Sequence, residues 1–227
     1  MFDHITLRVA DPAAARRAFT TVLDELEIAQ TTSTPSFSVW GNFALTQTDE
    51  EHPIARRVDI AFIAPTPIHV ERFGHAGIDA GFVDDGPARP RPDHADDYYA
   101  ALLKDGAGNS FEAVHRDGEP PSGNVDHVAI CVSDVEASTA FYSTIGTAAG
   151  LTIRRQATDR ATFSVGASDG SFSAIAGEPT QNTHIASSGG DDSASGCSAS
   201  PETRRRRPTA SSRSSRPGCR KTACGSP

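Results

Sequence analysis

Long hydrophobic runs are absent from this 227-residue chain. A membrane-spanning helix needs about 20 consecutive apolar residues, so no membrane is expected as a partner. No basic, apolar leader precedes the strand pattern that begins at Phe2, and the expected compartment is the cytoplasm. Cysteine is scarce. Cys131 stands alone in a strand pattern, and Cys197, Cys219 and Cys224 near the end lack the paired short spacings of a zinc knuckle; neither a disulfide framework nor a thiolate metal site is expected. Basic charge is missing where nucleic-acid recognition would need it. Eight basic residues against three acidic ones after Ala186 leave that segment at +5, and since the whole chain carries −8, the preceding part carries −13. An acidic body without a basic stripe excludes specific nucleic-acid binding.

Residues 187–227 lack Val, Ile, Leu, Met, Phe, Tyr and Trp altogether. Ordering a segment costs about 1.5 kcal/mol per residue, and with almost no apolar surface to bury nothing offsets that. The sequence therefore predicts a disordered tail. Its mixture of Arg, Ser, Pro and Cys is what a shifted reading of a GC-rich frame encodes, which makes a frameshifted tail one explanation and a genuine basic tail the other.

What is present is a tandem repeat. Asp3-His4-Ile5-Thr6-Leu7-Arg8-Val9-Ala10-Asp11 aligns with Asp126-His127-Val128-Ala129-Ile130-Cys131-Val132-Ser133-Asp134 at a constant offset. Both are alternating strands ending in an aspartate placed to cap a helix. The helix over Pro12 to Leu26 carries Phe19, Val22, Leu23 and Leu26 on one face; that over Val135 to Gly146 carries Phe141, Tyr142 and Ile145. Short strands follow each, Ser36 to Trp40 and Phe43 to Gln47 in one copy, Arg160 to Val165 and Ser171 to Ala176 in the other. The pattern restarts at Val58 to Ile63, with a helix over Pro67 to Gly77, strands at Gly81 to Val83, Asp97 to Leu103 and Ser110 to Val114, and a hairpin turn at Lys104 to Asn109.

The expected fold is α+β, with paired βαβββ modules forming an open β-barrel and a second, incomplete copy. Residues 1–116 make the complete domain (modules 1–50 and 57–116), 117–123 the linker, 124–186 the incomplete domain and 187–227 the tail. A half-built domain exposes a sheet edge, so a homodimer that completes it is a further expectation.

Three segments resemble the vicinal oxygen chelate superfamily, which includes glyoxalases, bleomycin-binding proteins and extradiol dioxygenases. They are Asp3 to Asp11, Val58-Asp59-Ile60-Ala61-Phe62, and Tyr98 to Glu112. The resemblance implies metal ligands on the first strand of each module and on a last strand, here His4, Asp59 and Glu112, with Glu112 also the catalytic carboxylate. One imidazole and two carboxylates suit Mn, Fe, Ni or Zn and leave positions open for a substrate with adjacent oxygens. His127 and His184 occupy the corresponding places in the incomplete copy, as a vestigial metal pair. Trp40, Phe62, His94, Tyr98 and Phe111 are the expected substrate-pocket residues. Each ligand taken singly has an ordinary structural explanation: a hydrogen-bonded barrel histidine, an aspartate paired with Arg57 or Arg8, a strand-end carboxylate. Two functions stay open. One is a metal-dependent lyase or dioxygenase acting on a small oxygen-rich substrate, the other a metal-free barrel that sequesters a small molecule in the manner of bleomycin-resistance proteins.

Overall fold

The computed structural model describes residues 2–118, 120, 122–165 and 170–187. Apart from Ser187, the segment read as a disordered tail lies outside the described residues. The first module runs through β1 (Phe2–Val9), α1 (Pro12–Asp24), β2 (Thr32–Ser33), β3 (Phe37–Trp40) and β4 (Phe43–Gln47). The second comprises β5 (Val58–Ile63), α2 (Pro67–Asp79), β6 (Val83–Pro90), β7 (Tyr99–Lys104) and β8 (Ser110–His115). The third comprises β9 (Val125–Val132), α3 (Val135–Ala149), β10 (Leu151–Gln156), β11 (Arg160–Val165) and β12 (Ser171–Ala176), and β13 (His184–Ser187) follows it. The fold is a mixed α+β assembly of βαβββ modules in open sheets.

Local chemistry sets the element ends. The Asp11 carboxylate accepts from the Ala14 amide at 2.9 Å and Asp134 from Ala137 at 2.8 Å, each satisfying an amide that has no partner inside its helix. Pro12 at the first helical turn gives up an N–H that would be unpaired there anyway. Glycine at 150, with φ 66°, ends α3 in the left-handed region. In the β7–β8 hairpin, Asp105 Oδ1 accepts from the amides of Ala107 and Asn109. The Asn109 side chain in turn donates to the Ala55 carbonyl at 3.0 Å, tying the turn to the chain entering β5.

Strand pairing differs from the expected closure of residues 1–116 into one unit. β5 runs antiparallel to β9, so the second and third modules share an eight-stranded sheet of order β10-β11-β12-β9-β5-β8-β7-β6. The first module forms a separate five-stranded sheet, β13-β1-β4-β3-β2. The two candidate modules differ in strand length: β10, β11 and β12 beside β9 have six residues each, whereas β2, β3 and β4 beside β1 have two, four and five, and β1 pairs with the short β13. The first two modules instead pack through their helical sides. Phe19 of α1 meets Phe111 edge-on at 4.8 Å and Phe43 at 5.1 Å, and Trp40 and Phe82 join the same group. Burial of aromatic rings on this scale dominates a core's energetics. At Gly77 of α2 an added Cβ would come within 2.0 Å of Leu103, so glycine there sets how closely the helix lies on β7. No helix of the described residues is long and apolar enough to cross a membrane.

Candidate metal centre

Successive residues of β8 face opposite ways. Phe111 and Ala113 join the main core under the helices, whereas Val114, two residues on from Glu112, belongs to a second small cluster with Ala61, Tyr98 and Ala100. Glu112 therefore rises from the sheet face away from the helices. On the adjacent β5, Ala61 sits opposite Glu112, and on the far side of β5 the same Ala61 sits opposite His127 of β9. A methyl side chain between a carboxylate and an imidazole leaves the space into which both extend. Asp59, two residues before Ala61 on the same face, completes the group: one ligand atom from each of Asp59, Glu112 and His127 lies within 4.8 Å of the others.

Polar partners orient two of the three. His127 Nδ1 lies 2.7 Å from Asp126 Oδ1, and its Nε2 lies 3.6 Å from Glu112 Oε2. Asp126, 3% exposed, is also held by the Arg116 guanidinium, which stands 5.3 Å over the Tyr98 ring. Tyr98 donates its hydroxyl to Glu112 Oε1 at 2.9 Å. A chain of contacts thus runs from Arg116 through Asp126 and His127 to Glu112 and Tyr98. A cavity of about 120 Å³ borders its outer end at Arg116, Asp126 and Val114.

Protonation follows from this packing. Burial raises the Asp59 carboxyl to about 6, with His127 opposing and Glu112 reinforcing the rise. Burial by itself would lower His127, but its hydrogen bonds to Asp126 and Glu112 outweigh that and carry it up to about 10. The Tyr98 hydroxyl is pushed well above its ordinary range by burial and by the Glu112 charge. His94, stacked on Tyr98 at 4.9 Å between ring centres, is lowered by partial burial.

The residues fit a divalent cation. Asp59 Oδ1 is out of contact with solvent and has no hydrogen-bond partner, an arrangement that costs on the order of 1–3 kcal/mol unless something is bound there. A carboxylate–histidine pair such as Asp126–His127 holds the ring with Nε2 presented for coordination. Two carboxylates and one imidazole from three strands leave further coordination positions free. Ser173 of β12 sits opposite Ala129 of β9 as Glu112 sits opposite Ala61 of β5, so a buried hydroxyl, bonded to Thr162 at 2.9 Å, occupies the position related to Glu112 by the local two-fold.

Of the expected trio, the structure brings Asp59 and Glu112 together and replaces His4 by His127. His4 lies in the other sheet, its Nε2 3.1 Å from His184 Nε2. The two histidines expected to form one vestigial pair are thus divided between the sheets. Of the expected pocket residues, Tyr98 lies beside Glu112 and His94 stacks on Tyr98, while Trp40, Phe62 and Phe111 are fully buried in the main core. Sequence reasoning assigned no role to Asp126 or Arg116. The signal for the first was present: an aspartate directly precedes the histidine in both repeat copies, Asp3-His4 and Asp126-His127.

Solved structures that match this chain include glyoxalase I from Zea mays, with 16% identity, 82% of this chain and 71% of that one covered, and a TM-score of 0.55. A putative dioxygenase from Bacillus subtilis matches with 13% identity, 81% and 68% coverage and a TM-score of 0.54. A glyoxalase/bleomycin resistance protein from Albidiferax ferrireducens is covered over 99% of its own length by 51% of this chain, at 26% identity and a TM-score of 0.48. No family model matches the sequence, and no curated protein matches it. Likeness at such identities is one of fold.

Proposed function

The chain has the fold of the vicinal oxygen chelate proteins, and from that premise we propose that Asp59, Glu112 and His127 hold a divalent metal used on a small substrate with adjacent oxygens. The functional unit is then residues 57–176, the two modules that share the eight-stranded sheet, rather than residues 1–116. The observation that carries the reading is the buried, unpartnered Asp59 Oδ1 beside an imidazole whose other nitrogen is already anchored. Mn, Fe, Ni and Zn all suit one imidazole and two carboxylates. When bound, such an ion polarises substrate oxygens and stabilises the negative charge that develops on them.

The chain's own residues divide the remaining work. Asp126 and Arg116 fix the His127 ring, so that Nε2 is presented without reorientation. Tyr98 holds one oxygen of Glu112 and leaves the other facing His127. A carboxylate so held is suited to accept a proton from a substrate carbon or hydroxyl and return it elsewhere, which is the isomerase or lyase role; dioxygenation needs the same ligands with ferrous iron. The competing reading, sequestration of a small molecule without metal, finds no wall in Trp40, Phe62 or Phe111, since all three are core residues.

Metal analysis of protein purified without chelator tests the proposal. Stoichiometric metal in the wild-type chain, lost from Glu112→Ala and Asp59→Asn, is the expected result. Failure to bind any of the four ions would leave the Arg116–Asp126–His127–Glu112 chain as a buried ion network with a purely structural role.

A further inference from the structure

Resting on the metal reading above, we propose that the substrate is a small organic dianion, with adjacent oxygens on the metal and a distal carboxylate held by Arg160 beside the hydroxyls of Thr162 and Ser173. The local two-fold relates the two halves of the eight-stranded sheet position by position. On the second-module half, Leu102 sits opposite Glu112 and Ala100 opposite Val114. On the third-module half, Thr162 sits opposite Ser173 and Arg160 opposite Ile175. The places of Leu102 and Ala100 are thus taken by a hydroxyl and a guanidinium. Alternation puts both on the metal face, because Ala161 and Phe163, the residues interleaved with them on β11, belong to the core under the helices. One half of the face supplies Glu112 and an apolar floor, and the other supplies hydrogen-bond donors and positive charge.

A continuous row of positions leads from the metal centre to this basic side. Asp59 sits opposite Ala129, Ala129 opposite Ser173, Ser173 opposite Thr162, and Thr162 opposite Arg155. The methyl group of Ala129 leaves the first step open, and the Ser173 and Thr162 hydroxyls follow, 2.9 Å apart. Two hydroxyls bonded to each other use one proton between them, so the other proton is left to donate to a ligand oxygen. Arg160 is half-buried, and among the described residues its side chain has no hydrogen-bond or ion-pair partner, whereas Arg57 and Arg116 each hold a carboxylate. Burial is the first influence on Asp59 and on His94, and the Arg160 charge acts on both, so the guanidinium extends inward over the metal face. β11 lies three strand spacings from β5, about 14 Å, and the long Arg160 stem shortens that gap to the length of a short carbon chain. Arginine takes a carboxylate through two parallel N–H bonds of its planar fork. An α-hydroxy or α-keto acid with a second carboxylate carries both of the groups that this face can hold.

Calorimetric titration of the full-length, Mn²⁺-loaded protein with α-ketoadipate and with α-ketohexanoate tests this. The two acids share the metal-binding end and the chain length and differ only in the distal carboxylate. α-Ketoadipate should bind at least about tenfold more tightly at low salt, and the preference should shrink as ionic strength rises. Arg160→Gln should bind the two acids alike and, because it removes a positive charge near a cation, should hold Mn²⁺ at least as tightly as the wild type. Arg160→Lys should keep only part of the preference, since it has the charge without the fork. Thr162→Val should weaken α-ketoadipate roughly two- to tenfold, the loss of one hydrogen bond. Equal affinity for the two acids, binding of neither at millimolar concentration, or a preference that survives Arg160→Gln would overturn the proposal and leave the metal reading standing. Failure of the wild-type chain to take up Mn²⁺ would overturn both.

Discussion

Asp59 and His127 hold equivalent places on two antiparallel strands. Asp59 faces Ala129 across the β5–β9 seam and His127 faces Ala61, so a local two-fold axis passes between the two strands and exchanges carboxylate for imidazole. Both residues have alanine as the cross-strand neighbour, and the pair of methyl groups keeps the face between them open. Cross-strand neighbours on one face lie only about 4.5–5.5 Å apart at Cβ, so bulkier residues at 61 or 129 would fill the site.

Asp59 is positioned at the expense of stability in the metal-free chain. Its folded-state carboxyl is raised to about 6 by burial, above the ordinary value of 3.8, so the folded protein holds this proton more tightly than the unfolded one. The metal-free protein should therefore lose stability as pH rises from about 4 to about 6. Asp59→Asn should raise the unfolding free energy of the metal-free protein at pH 7 by about 1–3 kcal/mol, and with it the urea midpoint, while removing metal binding. Denaturation curves of both proteins, each stripped with chelator, check this.

His127 makes stability fall with pH in the same direction, over a higher range. Raised to about 10, it contributes stability that is fully present below its unfolded value near 6.5 and is lost as pH rises through 10. A metal must displace that proton, so affinity should climb about tenfold per pH unit between 7 and 9, with close to one proton released per ion bound. Calorimetric titration in buffers of different ionisation enthalpy measures the release. An affinity independent of pH would mean that His127 is not a ligand.

Tyr98→Phe deletes the hydroxyl that satisfies Glu112 Oε1. A buried carboxylate oxygen left without a donor should cost about 1–3 kcal/mol in the metal-free protein. Bound metal should recover part of that loss, so thermal shifts on adding Mn²⁺ or Zn²⁺ should be larger in the variant than in the wild type.

Arg116→Ala leaves Asp126 buried with His127 as its remaining charged partner. Because the guanidinium is itself partly exposed, the expected loss of stability is modest, about 1–2 kcal/mol. The larger effect should be on the orientation of His127, with metal affinity falling roughly 10–100-fold. Competition titration against a chromophoric chelator reads this directly.

Gly77→Ala tests the packing under the site. The added methyl would meet Leu103, which is 1% exposed and cannot swing into solvent. Over-packing of this kind should cost about 1–3 kcal/mol and lift α2 from β7. Metal affinity should change little, since neither residue lies on the face that bears Glu112.

The modules and the aspartate caps of α1 and α3 were legible in the sequence, because alternation, N-cap aspartates and turn glycines act locally; the faces of Phe62 and Phe111 were misassigned. Asp59 and Glu112 were singled out together by the family resemblance, and they sit in one module on neighbouring strands. His127 was identifiable as a ligand type, but its partners were not.

By itself the sequence determined that βαβββ units form and on which strands Asp59, Glu112 and His127 lie. Only the tertiary structure decided which first strand meets which. β5 had two candidates of nearly equal apolar character, β1 and β9, and local pattern cannot choose between them. The pairing chosen joins β5 to the module with the longer strands, β10, β11 and β12, and leaves β1 to β13. That long-range selection moves His127 in beside Asp59 and Glu112 and sends His4 to His184.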